Sequence, residues 1–388
     1  MYDRRISILQ RIAMNLWKKL VVTMTTAGAA AAAVPAENPA PAYQEDSYLT
    51  QVRQLTTEGR RAGEGYWSPD GKRMVFQSER EPGNPFYQIY VQDLGSGRVN
   101  RISPGIGKTT CAFFRPGSDE ILFASTHADP ASKKLQEDEL ALRASGAQRR
   151  YAWDFDPQMD IYAYSEASGG LKRLTNARGY DAEAAYSPDG QWIVFASNRD
   201  AYERTLKEEE QRLLEKDPSH FAEIYIMRAD GTGVRRLTNT PGYDGGPFFT
   251  HDGKRIVWRR FDAEGRSADI YTMRPDGSDV KRLTGFGAVS WAPYEHPSGQ
   301  YVIFASNKLG HDNFELFMVD VEGAKEPVQV TYSAGFDGLP VPSPDGKRLA
   351  WTSSRSGAGV GQIFVGDWNH AKALEALKSA PPRQGSTK

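Results

Sequence analysis

Polar and apolar positions along this chain fall into one phrase repeated six times. Each copy opens with Arg-Leu-Thr or a variant: Gln54-Leu55-Thr56, Arg101-Ile102-Ser103, Arg173-Leu174-Thr175, Arg236-Leu237-Thr238, Arg282-Leu283-Thr284 and Gln329-Val330-Thr331. About a dozen residues later stands Ser-Pro-Asp-Gly. It is intact at 68–71, 187–190 and 343–346 and degraded at 115–118, 250–253 and 296–299. An apolar run follows, as at 192–197 and 301–306. Then comes Ile-Tyr or a close variant (Ile89-Tyr90, Ile161-Tyr162, Ile224-Tyr225, Ile270-Tyr271, Leu316-Phe317, Ile363-Phe364). The runs are short, β-branched and aromatic, so they predict strands. Proline presets φ and glycine accepts φ > 0, so Pro-Asp-Gly between two runs predicts a tight turn.

Four short strands per unit cannot bury both of their faces alone, so neighbouring units must stack. A period near 47 residues is that of propeller blades. The apolar residues of the triplets lie 47, 72, 63, 46 and 47 residues apart, which places insertions in the second and third units. The last copy stops after its third strand, and the strand at 50–56 has no blade before it. The expected fold is therefore all-β: a six-bladed β-propeller closed by an N-terminal strand completing blade six, with helical insertions in blades two and three. The propeller should span 48–368. Residues 369–388 should form a short helix capped by Asn369, with Ala371, Leu374 and Leu377 on one face, and a disordered tail from Pro381.

The N-terminal 36 residues have a different pattern. Arg4, Arg5, Arg11, Lys18 and Lys19 precede an apolar run from Leu20 to Val34, and Val34-Pro35-Ala36 fits signal-peptidase cleavage. Residues 1–36 are expected to be a secretory signal peptide and 37–47 a flexible leader. The predicted location is periplasmic or secreted, with no membrane span after cleavage. Removing 1–36 takes away five basic residues and one acidic residue, moving the formal charge from −1 to −5. That balance gives no reason to expect nucleic acid. The single cysteine, Cys111, excludes an intrachain disulfide and four-cysteine metal sites.

The combination Arg-Leu-Thr, Ser-Pro-Asp-Gly, Phe-Ala-Ser-Asn-Arg (195–199) and Ile-Tyr-x-Met resembles the TolB-type propeller repeat over about 48–368. The same propeller is similar to modules found ahead of peptidase domains in secreted bacterial enzymes. The resemblance implies a scaffold that binds, gates or docks, in the manner of the Tol–Pal envelope system or of a peptidase. About a dozen residues separate the predicted cleavage site from the first strand, so the α/β domain of TolB is expected to be missing. The chain also stops where a peptidase would begin.

Both insertions, 128–158 and 200–222, join second to third strands and so open on one face. Residues 132–143 are charged, and 203–216 read as a helix ended by Pro218. Tyr151, Trp153 and Phe155 are either interface anchors or packing for the insertion. The same face receives Gly179-Tyr180-Asp181, Gly242-Tyr243-Asp244 and Gly335-Phe336-Asp337. Asp181 with Arg199, and Asp337 with Arg355, are expected intrablade pairs. Blade four matches Asp244 with Asp262, two carboxylates that would need a Ca²⁺ or cationic ligand between them, unless Arg259 or Arg260 neutralises them. Glu64 and Glu183 are placed near the channel wall, and Cys111 is expected to be buried and inert. Glu295-His296 is the one candidate for a channel metal. No catalytic motif is present. The leading expectation is a monomeric, cofactor-free propeller that binds a protein or peptide partner. The alternatives are a peptidase-associated module and a channel-site hydrolase or lyase.

Overall fold

The computed structural model describes residues 45–146, 155–357 and 359–383. The predicted signal peptide, most of the leader, Tyr151, Trp153 and the last five residues lie outside them. Strand β1 (Leu49–Gln54) precedes six four-stranded units. Blade one is β2 (Arg61–Trp67), β3 (Arg73–Glu79), β4 (Gln88–Asp93) and β5 (Val99–Arg101). Blade two is β6 (Thr109–Phe114), β7 (Glu120–Ser125), β8 (Asp160–Ser165) and β9 (Leu171–Arg173). Blade three is β10 (Asp181–Tyr186), β11 (Trp192–Ser197), β12 (Glu223–Arg228) and β13 (Arg235–Arg236). Blade four is β14 (Asp244–Phe249), β15 (Ile256–Phe261), β16 (Ala268–Met273) and β17 (Lys281–Arg282). Blade five is β18 (Ser290–Glu295), β19 (Tyr301–Ser306), β20 (Glu315–Asp320) and β21 (Val328–Gln329). Blade six is β22 (Asp337–Pro342), β23 (Arg348–Ser353) and β24 (Gln362–Trp368), and its fourth strand is β1, antiparallel to β24.

The repeated phrases have local causes. In blade one Ser68 Oγ donates to Asp70 (2.6 Å) and accepts from the Arg73 amide (2.9 Å). Gly71, at φ +67°, returns its amide to Ser68 O. The threonine of Arg-Leu-Thr ties the outermost strand to the third. Thr238 Oγ1 accepts from the Ile224 amide (2.9 Å) and donates to Glu223, whose other oxygen takes Arg236 (2.7 Å). The same device closes the ring. Thr56 accepts from the Ile363 amide (2.9 Å) and donates to Gln362 (2.7 Å), joining the two ends of the chain.

Apolar cores lie between the blades, around fully buried Phe76, Phe123, Phe195, Trp258, Phe304 and Trp351. The insertions are helical: α2 (Ser132–Ala144) in blade two, and α3 (Asp200–Glu203) and α4 (Glu208–Lys216) in blade three. The single helix expected at 203–216 is broken at Arg204, whose backbone is extended. Its side chain bridges Asp200 (2.8 Å) and Glu210 (2.8 Å) across the break.

The leader boundary is corrected. Helix α1 (Glu45–Tyr48) is ordered against the ring, and buried Glu45 pairs with Arg355 (2.7 Å) and accepts from the Tyr332 amide. Part of the tail is corrected too. Helix α5 (His370–Ser379) buries Leu377 and packs Leu374 as expected, but Ala373 rather than Ala371 completes the inward face. The next residues are held by Glu326 N–H to Pro381 O and Arg383 N–H to Ala324 O, both 2.9 Å.

Candidate functional site

The innermost strands β2, β6, β10, β14, β18 and β22 surround the channel. Every one bulges at the same place, and the residue four before the turn serine or its equivalent takes positive φ: Glu64, Cys111, Glu183, Gly246, Ala292 and Leu339. A bulge aims one extra side chain per blade and raises the local twist. Five of the six residues are not glycine, so the backbone holds side chains in a conformation they disfavour.

Two of these positions build a buried polar cluster across blades three and four. Glu183 accepts from Arg259 Nη2 (2.9 Å), from the Gly246 amide (2.6 Å) and from the Tyr243 hydroxyl. Arg259 also donates to Tyr243 Oη (2.6 Å) and lies over the Tyr243 ring. The Gly245-Gly246 doublet makes room. A Cβ on Gly245 would stand 2.6 Å from a Glu183 oxygen, and one on Gly246 would collide with the Arg259 guanidinium.

Glu64 completes this level from blade one. It accepts from Tyr66 Oη (3.2 Å), its amide donates to Thr352 Oγ1 (3.1 Å), and no cation pairs with it among the described residues. Burial pushes its carboxyl up to about 7. Hydrogen bonds from Cys111 and Tyr66 oppose the shift, and Glu183 adds to it. Burial, Glu64 and Glu183 drive the Cys111 thiol well above its ordinary range, so it stays protonated and inert. Two residues further along the strands, Tyr66, Phe113, Phe248 and Tyr294 stack at centroid distances of 4.9–6.3 Å and stopper the channel. These rings close the channel, and the level of Glu64, Cys111 and Glu183 forms a polar channel end, the funnel, on the side of the insertions.

The expected Asp–Arg pairs form. Arg199 meets Asp181 at 2.5 Å and Arg355 meets Asp337 at 2.8 Å. All three channel-side aspartates, Asp181, Asp244 and Asp337, are fully buried, so they fasten the first and second strands of their own blades rather than facing a ligand. The carboxylate pairing of Asp244 with Asp262 does not form. Arg260 takes both oxygens of Asp244 at 2.7 Å, while Asp262 accepts from the Arg266 and Ser267 amides of its own turn (2.8 and 3.0 Å). The site expected to need a cation thus already holds one, in Arg260.

Tyr180 and Tyr243 are buried. Phe155 packs on Tyr180 at 5.3 Å as part of the insertion. Phe336 is half-buried, 6.2 Å from Trp291 and 5.7 Å from Phe314, near the funnel rim. Glu295 does not line the channel. It accepts from the His251 amide (2.7 Å), and His296 stacks on Tyr301 and on His370 of the tail. Among the described residues no group of three His, Cys, Asp or Glu side chains could hold a metal ion, and no helix is long and apolar enough to cross a membrane.

No protein-family model matches the chain. It is 27% identical over 214 residues to the uncharacterized protein Atu1656 of Agrobacterium fabrum, covering 51% of this chain and 65% of that one. It is 26% identical over 157 residues to the uncharacterized peptidase YuxL of Bacillus subtilis, covering 36% of this chain and 22% of YuxL. Each match therefore spans less than two thirds of the relative's own length. A provisionally assigned TolB from Agrobacterium tumefaciens superposes with TM-score 0.52 at 19% identity, over 82% of this chain and 94% of that one. TolB from Acinetobacter baumannii superposes with TM-score 0.51 at 16% identity, over 84% and 65%. In fold, the chain is a TolB-like six-bladed β-propeller.

Proposed function

We propose that this propeller is a scaffold that binds a protein or peptide partner in the bacterial periplasm or outside the cell, through the insert-bearing face. One observation carries the reading: the loops around the ring-closed polar channel end bear solvent-exposed apolar side chains. Ile106, Leu135 and Leu309 are 42–53% exposed on that face, and Trp291, Phe314 and Phe336 lie half-buried between its loops. Among the described residues the other large exposed apolar side chains, Val52, Leu171, Val234 and Val280, lie at or next to the outermost strands. Exposed apolar groups gathered on one face mark a surface suited to a protein partner. The TolB-like fold and the predicted signal peptide support a role in envelope integrity or protein transport. The YuxL match supports a second reading, a module that docks or gates a peptidase.

Affinity capture from an envelope extract separates these readings. A lipoprotein anchored to the cell wall is the expected catch for an envelope role, and a peptidase for the second. Failure to retain any partner, together with turnover of glycans or lactones by the purified protein, would overturn both.

A further inference from the structure

The chain after β24 forms a strap. Asn369 caps α5 by accepting from the Lys372 amide (3.2 Å), and the helix packs beside Tyr48 and Trp368, where the first and last strands meet. Beyond the helix, Pro382 bridges to Lys325 of blade five, and Arg383 reaches Arg282 O of blade four (3.0 Å). The strap is thus anchored on three blades. Its first helical residue, His370, lies flat against His296 of the β18–β19 turn, with ring centroids 4.6 Å apart and planes 3° from parallel. Tyr301 stacks on the other ring of the group, 4.6 Å from His296.

Hydrogen bonding sets the protonation of both rings. Trp368 Nε1 can only donate, and it donates to Tyr301 Oη (2.7 Å). The Tyr301 proton is then available to His370 Nδ1 (3.0 Å), which accepts it. The Ser298 amide donates to His296 Nδ1 (3.1 Å), so the His296 proton sits on Nε2 and goes to Gly346 O (3.2 Å). Each Nδ1 is an acceptor, and each ring is neutral. A proton added to His296 Nδ1 faces the Ser298 amide and leaves only the neutral Ser298 hydroxyl (3.0 Å) to accept it, and one added to His370 Nδ1 forces the Tyr301 hydroxyl proton to turn away.

The surroundings offer neutral hydroxyls but no opposite charge. Blade five faces the pair with Tyr301 and Ser298, and blade six with the Gly346 carbonyl. Blade four faces it with His251, whose imidazole rests on Glu295 (3.2 Å). Asp345 of the blade-six turn is occupied by Ser343 and the Lys347 amide, and Lys372 of the helix by Glu375. No carboxylate is hydrogen-bonded to either ring among the described residues. The positive end of the α5 dipole adds to the cost of charging His370.

We propose that the His296–His370 stack is a proton-operated latch, and that protonating it releases the strap at 369–383 from blades five and six. Release uncovers the apolar surface under Ala373 and Leu377 and removes the Asn369 N–H to Tyr48 O bond (2.8 Å) beside the ring closure. Burial pulls His296 down to about 4 and lowers His370 as well, so the latch holds at neutral pH and opens in acid.

Hydrogen exchange of the whole protein, followed from pH 7.5 to 5 and corrected for intrinsic rates, tests this. Amides of α5 should lose about tenfold in protection, the change that one unit of pKa difference produces. Amides of β11 should be unaffected. His370→Gln, at a half-exposed position, should flatten the response, and His296→Phe should keep a stacked ring and also flatten it. Constant protection of α5 down to pH 5 would overturn the latch. So would an unchanged response in His370→Gln, or loss of protection in β11 in step with α5.

Discussion

At the residue scale, the register of one strand decides where charge goes. Asp244 stands directly opposite Arg260, and adjacent residues of a strand point to opposite faces, so Arg259 is sent to Glu183 instead. Arg259→Ala would leave a buried carboxylate without its cation. It should cost about 3–5 kcal/mol in chemical denaturation. A loss below 1 kcal/mol, about that of an exposed pair, would show that the cluster is solvated.

Glu64 gives a pH signature. Its folded-state value of about 7 exceeds the ordinary 4.5, so the folded protein binds the proton more tightly than the unfolded chain. That stabilisation is present below about 4.5 and is lost as pH rises through 7. Glu64→Gln should therefore be the more stable protein at about pH 8, with a flatter stability curve between about pH 5 and 8. Parallel curves for the two proteins would contradict the assignment.

The Asp181–Arg199 and Asp337–Arg355 pairs were legible in the sequence, because each pair recurs at fixed offsets from a turn serine. The Glu183–Tyr243–Arg259 cluster was not, since its members lie 16 to 76 residues apart and come from two blades. Its trace in the sequence is the Gly245-Gly246 doublet, together with an arginine where blades two, three and five carry alanine (Ala124, Ala196 and Ala305).

At the scale of the element, the Arg-Leu-Thr signature is a strand fastener. Thr238→Val removes the acceptor for the buried Ile224 amide and the donor to Glu223. It should cost about 1–3 kcal/mol by urea denaturation, the range for a buried group left unpaired. A change within about 0.5 kcal/mol would reduce the motif to a composition bias. The acids it serves are strained as well. Burial, with Asp244 nearby, pushes Glu223 up to about 7, and burial does the same to Glu315. Strands and turns were legible because their chemistry is local. The broken helix at α3–α4 was not, because helical periodicity across 203–216 says nothing about an arginine that ties both ends of the break.

At the scale of the molecule, six blades form one closed ring whose ends meet in β1 and β24, under α1 and α5. Closure was readable from the count of strands, since the last copy lacks a fourth and the first strand lacks a blade. The clasp by Glu45 was not readable, because nothing in 37–47 repeats. The funnel's floor emerges only when the six innermost strands are brought around one axis, and the face that carries it is the face proposed to meet a partner.

The most direct test places a photo-activated cross-linking residue at Trp291, beside the funnel, and in a separate protein at Gln191, in a turn on the opposite face. Each is illuminated in whole cells. The account predicts a discrete cross-linked partner from position 291 and none from 191. Cross-linking from 191 alone, or the same products from both positions, would contradict it.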